Sequence, residues 1–420
     1  MGKPPPPAAL QFFGRNIAQV LSGSVAAQAV QLLGAVVIAR LFAPDTFGLF
    51  SAWLGIVMLL AVVVTGRFEM ALAIEPDGEP RRRGVVATFW TIWLATAALA
   101  LVVGVAGVAF AWPPQVQLPM VLLAVVATAL VGMIHTWQAW AAAEGRYREL
   151  SWIRVSQAVV VISGQITAGL LAPTALGMMA GQVLGLVCAV WIAASLMPAQ
   201  VLRRHGWDTS WREVQSFWRK HRRFPAIALP ADAINAASAQ LPLLFIAARF
   251  GAEAGGLFAL TLRVLGAPIS LIAAAILDVF KRDAAASYRE RGHCLDEYKR
   301  TFGLLAIGSI VLALGVIVTA DWLFVLAFGE PWRRAGTMAI WLLPLFAMRF
   351  VASPLSYVFY IAGRQHVDLV WQCALLVMTL AAFQLVSGLE ASIHAYAWGY
   401  GALYAVYAYL SYVFSRGRST

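Results

Sequence analysis

Long apolar runs recur along the chain, each closed by a short polar or basic break. A run of roughly 20 apolar residues crosses a bilayer as a helix, because a helix satisfies its own backbone polar groups in lipid. The pattern predicts helices at 16–39, 46–66, 84–111, 117–143, 150–172 and 174–198, then at 224–248, 255–280, 301–327, 334–361, 366–388 and 391–414. The breaks at Ala172-Pro173 and Gly388-Leu389-Glu390 are so short that the helices on either side must be hairpin neighbours. The expected fold class is all-α and polytopic, with about twelve transmembrane helices.

Composition sharpens this reading. Of 420 residues, 61% are hydrophobic and only 12% charged, with a mean hydropathy of +0.76. A soluble domain cannot hide that much apolar surface. The net charge of +11 comes from short basic clusters between apolar runs, which is the pattern of membrane loops and not of a nucleic-acid-binding face. Met1-Gly2-Lys3 and the prolines Pro4 to Pro7 precede the first run without a cleavable signal pattern. Cys188, Cys294 and Cys373 have neither disulfide nor metal spacing, and the six histidines show none either. No glycine loop of the G-x-x-x-x-G-K type occurs, so no ATP hydrolysis and no cofactor are expected.

Orientation follows from the basic residues. With the N-terminus in the cytoplasm, the outer segments hold only Arg40, Arg249, Arg333 and Arg334, and Arg263 and Arg349 lie inside spans. All other lysines and arginines fall in inner segments, as the positive-inside rule requires. Both termini are then cytoplasmic. The largest inner loop, 199–223, contains Arg219-Lys220-His221-Arg222-Arg223 and would lie against anionic lipid headgroups.

That loop also marks where the sequence begins again. Val37 to Phe50 aligns with Phe245 to Phe258: Ile38-Ala39 with Ile246-Ala247, Phe42 with Phe250, Asp45 with Glu253, and Gly48-Leu49-Phe50 with Gly256-Leu257-Phe258. Six spans per half is an even number, so the halves share an orientation and are related by an axis along the membrane normal. The expected domains are an N-terminal six-helix lobe at 1–198, a basic linker at 199–223 and a C-terminal six-helix lobe at 224–420.

These residues carry a family likeness. Arg40-Leu41-Phe42-Ala43-Pro44-Asp45-Thr46-Phe47-Gly48 resembles the A-R-x-L-x-P-x-x-F-G turn of the Wzx-like polysaccharide flippases of the MATE/MOP superfamily. Arg223-Phe224-Pro225, Pro242, Gly256-Leu257-Phe258-Ala259-Leu260, Arg263-Val264-Leu265 and Pro268 are similar to a second stretch of that family. The resemblance implies two six-helix lobes in a V, within the bacterial inner membrane. It also implies transfer of a polyprenyl-pyrophosphate-linked oligosaccharide, an O-antigen or exopolysaccharide unit, from the inner to the outer leaflet. Polysaccharide polymerase machinery would be a partner. The sequence departs from the pattern where Glu253 occupies an outer turn that lacks proline.

An ionisable side chain near the bilayer centre costs about 3 kcal/mol or more, so it faces a cavity or a partner. Three fall near mid-depth: Asp232, Arg263 and Arg349. Arg263 and Arg349 are expected to line the cleft and hold phosphate oxygens bidentately. The alternative is a structural contact in which Asp232 neutralises one of them. Asp232 follows Pro230 on a span that also contains Pro242, so that helix should bend. Its carboxylate suits proton or cation coupling, or a plain salt bridge. Arg67 and Glu69 are candidates for substrate entry, against interfacial snorkelling and helix-end pairing, and Arg223 is another, against anchoring at the anionic lipid surface. Arg40 and Arg249 are candidates for an outer gate, against turn contacts to Asp45 and Glu253. Trp137 and Trp140 suit sugar stacking or core packing. Trp112, Trp322 and Trp332 read as interfacial anchors, and Gly177, Gly181 and Gly185 as a close-packing helix face.

Two other classes compete. A glycan polymerase or glycosyltransferase needs an outer loop with groups for acid–base work, and the outer connections here are short. A multidrug exporter of organic cations prefers an acidic cavity, whereas two deep arginines against one aspartate favour an anionic cargo.

Overall fold

The computed structural model describes residues 7–109, 117–196 and 209–417, with side chains described from residue 23 onward except at 365. Among the described residues every regular element is helical. The long helices are α1 (Pro7–Leu41), α2 (Pro44–Val64), α3 (Glu79–Ala109), α4 (Leu118–Ala143), α5 (Tyr147–Leu171) and α6 (Ala175–Leu196), followed by the short α7 (Trp211–Lys220). Then come α8 (Leu229–Phe250), α9 (Ala252–Arg291), α10 (Leu295–Phe328), α11 (Arg333–Trp341), α12 (Leu343–Leu355), α13 (Val358–Ile361), α14 (Gln365–Gln384) and α15 (Leu389–Ser415). Among the described residues, 11 helical segments are long and apolar enough to cross a membrane. The twelfth expected span is α15, whose apolar length is interrupted by Tyr396, Tyr400, Tyr404 and Tyr407.

The apolar surface faces outward, as lipid requires. Leu101, Val102, Val105 and Val108 of α3 and Leu304, Ile307, Val311 and Val318 of α10 are all exposed. In water such stripes would drive aggregation, so their solvent is hydrocarbon.

The helices divide into two compact units. Unit 1 comprises Met1–Phe42 and Ala52–Gln240, and unit 2 comprises Ala43–Ser51 and Leu241–Thr420. The first turns of α2 therefore group with the second unit, and the first half of α8 with the first. Of the expected linker 199–223, residues up to 208 lie outside the described residues. The rest is largely α7, started by a capping box in which Ser210 and Glu213 satisfy each other's backbone N–H groups.

In unit 1, α5 packs against α1 and α6, and α4 against α3 and α6. Glycine makes the α5–α6 approach possible. A Cβ on Gly164 would lie 2.5 Å from the Gly181 carbonyl oxygen, and one on Gly181 the same distance from that of Gly164. Gly185 lies against Val161 in the same way, whereas Gly177 faces the turn at Ala172. Helix α7 lies on α3: Trp218 Nε1 donates to Thr91 Oγ1 at 2.8 Å, and Trp211 meets Trp90 edge-on. Val214 and Phe217 join Phe68, Ala71 and Ala87 in one buried cluster.

In unit 2, α12 packs against α9, α10 and α15. The expected span 334–361 is broken into α11, α12 and α13. Pro344, which lacks an N–H, opens α12, and Pro354 near its end removes another ladder bond. Trp332, expected at an interface, is fully buried and meets Phe47 edge-on at 5.4 Å between ring centres. Trp322 is exposed, and Trp112 lies outside the described residues.

Candidate functional site

Within unit 2, the helices that carry the two deep arginines, α9 and α12, pack together. Each contains a proline, Pro268 and Pro354, which keeps its backbone from closing tightly on its neighbour. Between them lies a cavity of about 220 Å³ whose wall includes Gly266, Ser270, Phe346, Arg349 and Ser353. Arg349 is exposed within its helix bundle. No carboxylate lies within ion-pairing distance of it among the described residues. Its electrostatic neighbours are the tyrosines Tyr396, Tyr400 and Tyr404 on α15. Arg263 is half-buried on α9, one turn before Gly266 of the cavity wall. A guanidinium over a small apolar cavity with two serine hydroxyls is equipped to hold phosphate oxygens.

Among the described residues the ion pair of Asp232 lies within its own unit. Its partner is Arg67, within unit 1: Arg67 Nε donates to Asp232 Oδ2 at 2.6 Å. The same guanidinium reaches Glu69, with Nη1 3.0 Å from Oε1. The local backbone explains this meeting. Just beyond α2 come two consecutive residues of positive φ, Gly66 and Arg67, at 56° and 58°. For arginine that conformation costs about 1–2 kcal/mol, and it turns the side chain back onto the 3-10 turn Phe68–Ala73 that carries Glu69. On the other side, Phe224–Ala228 forms a π-helical turn just before Pro230. Pro230 cannot donate to the carbonyl of Ala226, and the helix is widened into the π turn just ahead of it. That π turn lies four residues before Asp232, the acid that meets Arg67. Arg67, its side chain 21% exposed, thus makes a pairing at the end of α2, as the alternative to an entry role expected.

The other predicted residues are dispersed. Arg249 donates to the Phe383 carbonyl oxygen and lies over the Phe250 ring, so its contact is not with Glu253. Asp45 accepts from its neighbour's backbone, Thr46 N–H. Arg40 is exposed on the last turn of α1, and Arg223 is exposed beside the π turn. Trp137 and Trp140 are buried in a core cluster with Leu72, Val85, Leu150 and Ile153, so neither presents a face for sugar stacking. His135 is exposed on α4, in electrostatic range of Arg67. Among the described residues no cluster of His, Cys, Asp and Glu could hold a metal ion.

Two polar centres in unit 1 were not visible in the sequence. Arg81, read there as one more loop cation, is buried. Its Nε donates to Leu72 O and its Nη2 to Glu75 O, both at 2.9 Å, and its Nη1 pairs with Glu144 at 2.8 Å. It thereby ties the α2–α3 loop to the end of α4. Next to it, buried Glu75 has Lys220 Nζ at 2.7 Å and His221 Nε2 at 2.5 Å, which anchors the end of α7. The only advance signal was acidic residues, Glu75 and Glu144, in loops rich in arginine. Arg154, counted with the inner loops, lies two turns into α5 and donates to Ser24 Oγ at 2.7 Å.

A family model described as polysaccharide biosynthesis protein matches residues 37–336, most of the chain. The protein belongs to that polysaccharide biosynthesis family. Among solved structures, this family member resembles the lipid II flippase MurJ in an inward closed conformation. The TM-score is 0.72 at 10% identity, covering 93% of this chain and 87% of that one. It also resembles an inward-facing multidrug resistance MATE transporter of the MOP superfamily, with a TM-score of 0.63 at 16% identity, covering 91% and 93%. At these identities the likeness is one of fold. No curated protein sequence matches the chain significantly.

Proposed function

We propose that this polysaccharide biosynthesis family member is a flippase of the bacterial inner membrane. Its cargo is a polyprenyl-pyrophosphate-linked oligosaccharide, carried from the cytoplasmic to the outer leaflet by alternating access. The observation that supports this most is Arg349, a guanidinium on the wall of a membrane-embedded cavity with no carboxylate partner among the described residues. An unneutralised charge at that depth costs several kcal/mol unless water or an anion offsets it. An anionic headgroup supplies the missing charge and uses the fork geometry of the guanidinium. Family membership supports the glycan, and the MOP-type fold supports transport.

The MATE likeness keeps one other reading in view, export of organic cations. The positive cavity wall argues against such a cargo. The test is Arg349→Ala and Arg263→Ala in cells that depend on this gene for surface polysaccharide. Loss of surface glycan, with lipid-linked intermediate accumulating inside, supports the flippase. Normal glycan together with loss of dye efflux supports the exporter.

A further inference from the structure

The Arg67 cluster holds two carboxylates and one guanidinium, so with both acids ionised it carries a net negative charge in a mostly buried place. Glu69 is 5% exposed. Arg67 donates to its Oε1, and the Thr65 hydroxyl and the Glu69 backbone N–H also act on the carboxylate. Its Oε2 is buried and has no hydrogen-bond partner among the described residues. A carboxylate oxygen left in that condition loses its hydration with nothing in return, while a protonated carboxyl carries no charge to solvate. Asp232, on the other side of Arg67, has the shorter contact and is the more exposed of the two acids, with a side chain 32% exposed. The arrangement therefore gives Asp232 the closer ion pair and makes Glu69 the acid that favours its neutral form. Burial acts in the same direction on Glu69, raising its proton affinity above the ordinary carboxylate range. Its own backbone N–H, the charge of Arg67 and bonds from Thr65 and Arg67 oppose it without prevailing.

Other groups around the cluster leave this balance in place. From α4, His135 approaches Arg67. From α3, Arg81 is taken up by Leu72 O, Glu75 O and Glu144. From the end of α7, Lys220 and His221 are both committed to Glu75. Arg222 and Arg223, beside the π turn, are exposed.

We propose that Glu69 is a proton-binding site of unit 1, held in its protonated form because it shares Arg67 with Asp232. Binding one proton makes the cluster electrically neutral. Losing it puts a second negative charge beside Asp232 on the one guanidinium, which weakens the hold of Arg67 on the start of α8. The site thus links the proton content of Glu69 to the contact between two segments that flank α2 and α8. Its use in driving transport rests on the flippase reading, but the proton site itself does not.

Infrared difference spectroscopy of the full-length protein in lipid bilayers, titrated with pH and without any cargo, tests the proposal. A protonated-carboxyl band should persist above the ordinary carboxylate range and be missing in Glu69→Gln, which keeps the shape and neutrality of the acid. In Asp232→Asn, Glu69 becomes the sole counter-charge of Arg67, so the band should survive but disappear at a pH lower by about one unit or more. Glu69→Asp should retain a band at altered frequency, which guards against a folding defect in Glu69→Gln. A band that is unchanged in Glu69→Gln, or insensitive to Asp232→Asn, overturns the proposal. Because no cargo is present, a wrong assignment of the transported lipid leaves this result intact.

Discussion

Gly48 and Gly256 meet at the crossing of α2 and α9, and each holds the same place in its half of the sequence repeat. A Cβ on Gly48 would lie 1.7 Å from the Ala252 carbonyl oxygen, and one on Gly256 1.9 Å from that of Pro44. Pro44 and Ala252 are themselves repeat equivalents. The contact is therefore reciprocal, with the first turns of two corresponding helices packed backbone to backbone inside unit 2.

No flexible side chain can yield at that crossing, since the obstructing atoms are main-chain. Gly48→Val and Gly256→Val should each lower stability by about 1–3 kcal/mol or more, read as a fall in melting temperature of the detergent-solubilised protein. Gly104→Ala, where a Cβ meets nothing within 4 Å, should be neutral or stabilising by up to about 1 kcal/mol, because alanine favours the helix.

Arg81 should be among the least replaceable residues outside the membrane core. Its removal strands Glu144 and leaves the Leu72 and Glu75 carbonyls without a donor. Arg81→Ala is expected to cost about 3 kcal/mol or more. Arg81→Lys should rescue little, because a single ammonium cannot reach both loops as the fork does. Thermal melting of the two variants measures both effects, and limited proteolysis should show the α2–α3 loop opened.

Glu69 and Glu75, six residues apart, should respond to pH with opposite signs. Burial tends to raise Glu75, but bonds from Lys220 and His221 and their charges outweigh it, so its proton affinity in the fold lies below the ordinary value near 4.5. A lowered folded value contributes stability above that pH and loses it as acid protonates the group. Glu69 is raised, so its contribution is present at low pH and declines as the pH climbs through its folded value. Melting temperature against pH should therefore lose its acid-side fall in Glu75→Gln and its decline on the alkaline side in Glu69→Gln.

Much of this architecture was legible in the sequence, and particular residues show where legibility ended. Apolar run length placed the spans, since a bilayer of fixed thickness imposes that period whatever the tertiary contacts. The span 334–361 is broken because Pro344 and Pro354 each delete a ladder bond, an effect that hydropathy averages away. The repeat was visible through Gly48 and Gly256, but equivalence along the chain says nothing of proximity, and their contact emerged only in three dimensions. Asp232 stands out in the sequence as a deep carboxylate open to coupling or to a plain salt bridge, and its partner is Arg67. Its partner depends on the left-handed turn at Arg67, and no rule of periodicity assigns that conformation to an arginine. Trp332 looks interfacial by composition alone, yet the turn at Gly329 tucks it against Phe47.

The cavity of unit 2 stands at the centre of the functional account, and Arg349 is the residue on which it turns. Purified wild-type and variant proteins, reconstituted in liposomes loaded with a polyprenyl-pyrophosphate-linked oligosaccharide, allow the fraction of that lipid reaching the opposite leaflet to be followed over time. Arrest in Arg349→Ala with partial recovery in Arg349→Lys, both folded, is the predicted result. Transfer by Arg349→Ala at the wild-type rate would contradict the account.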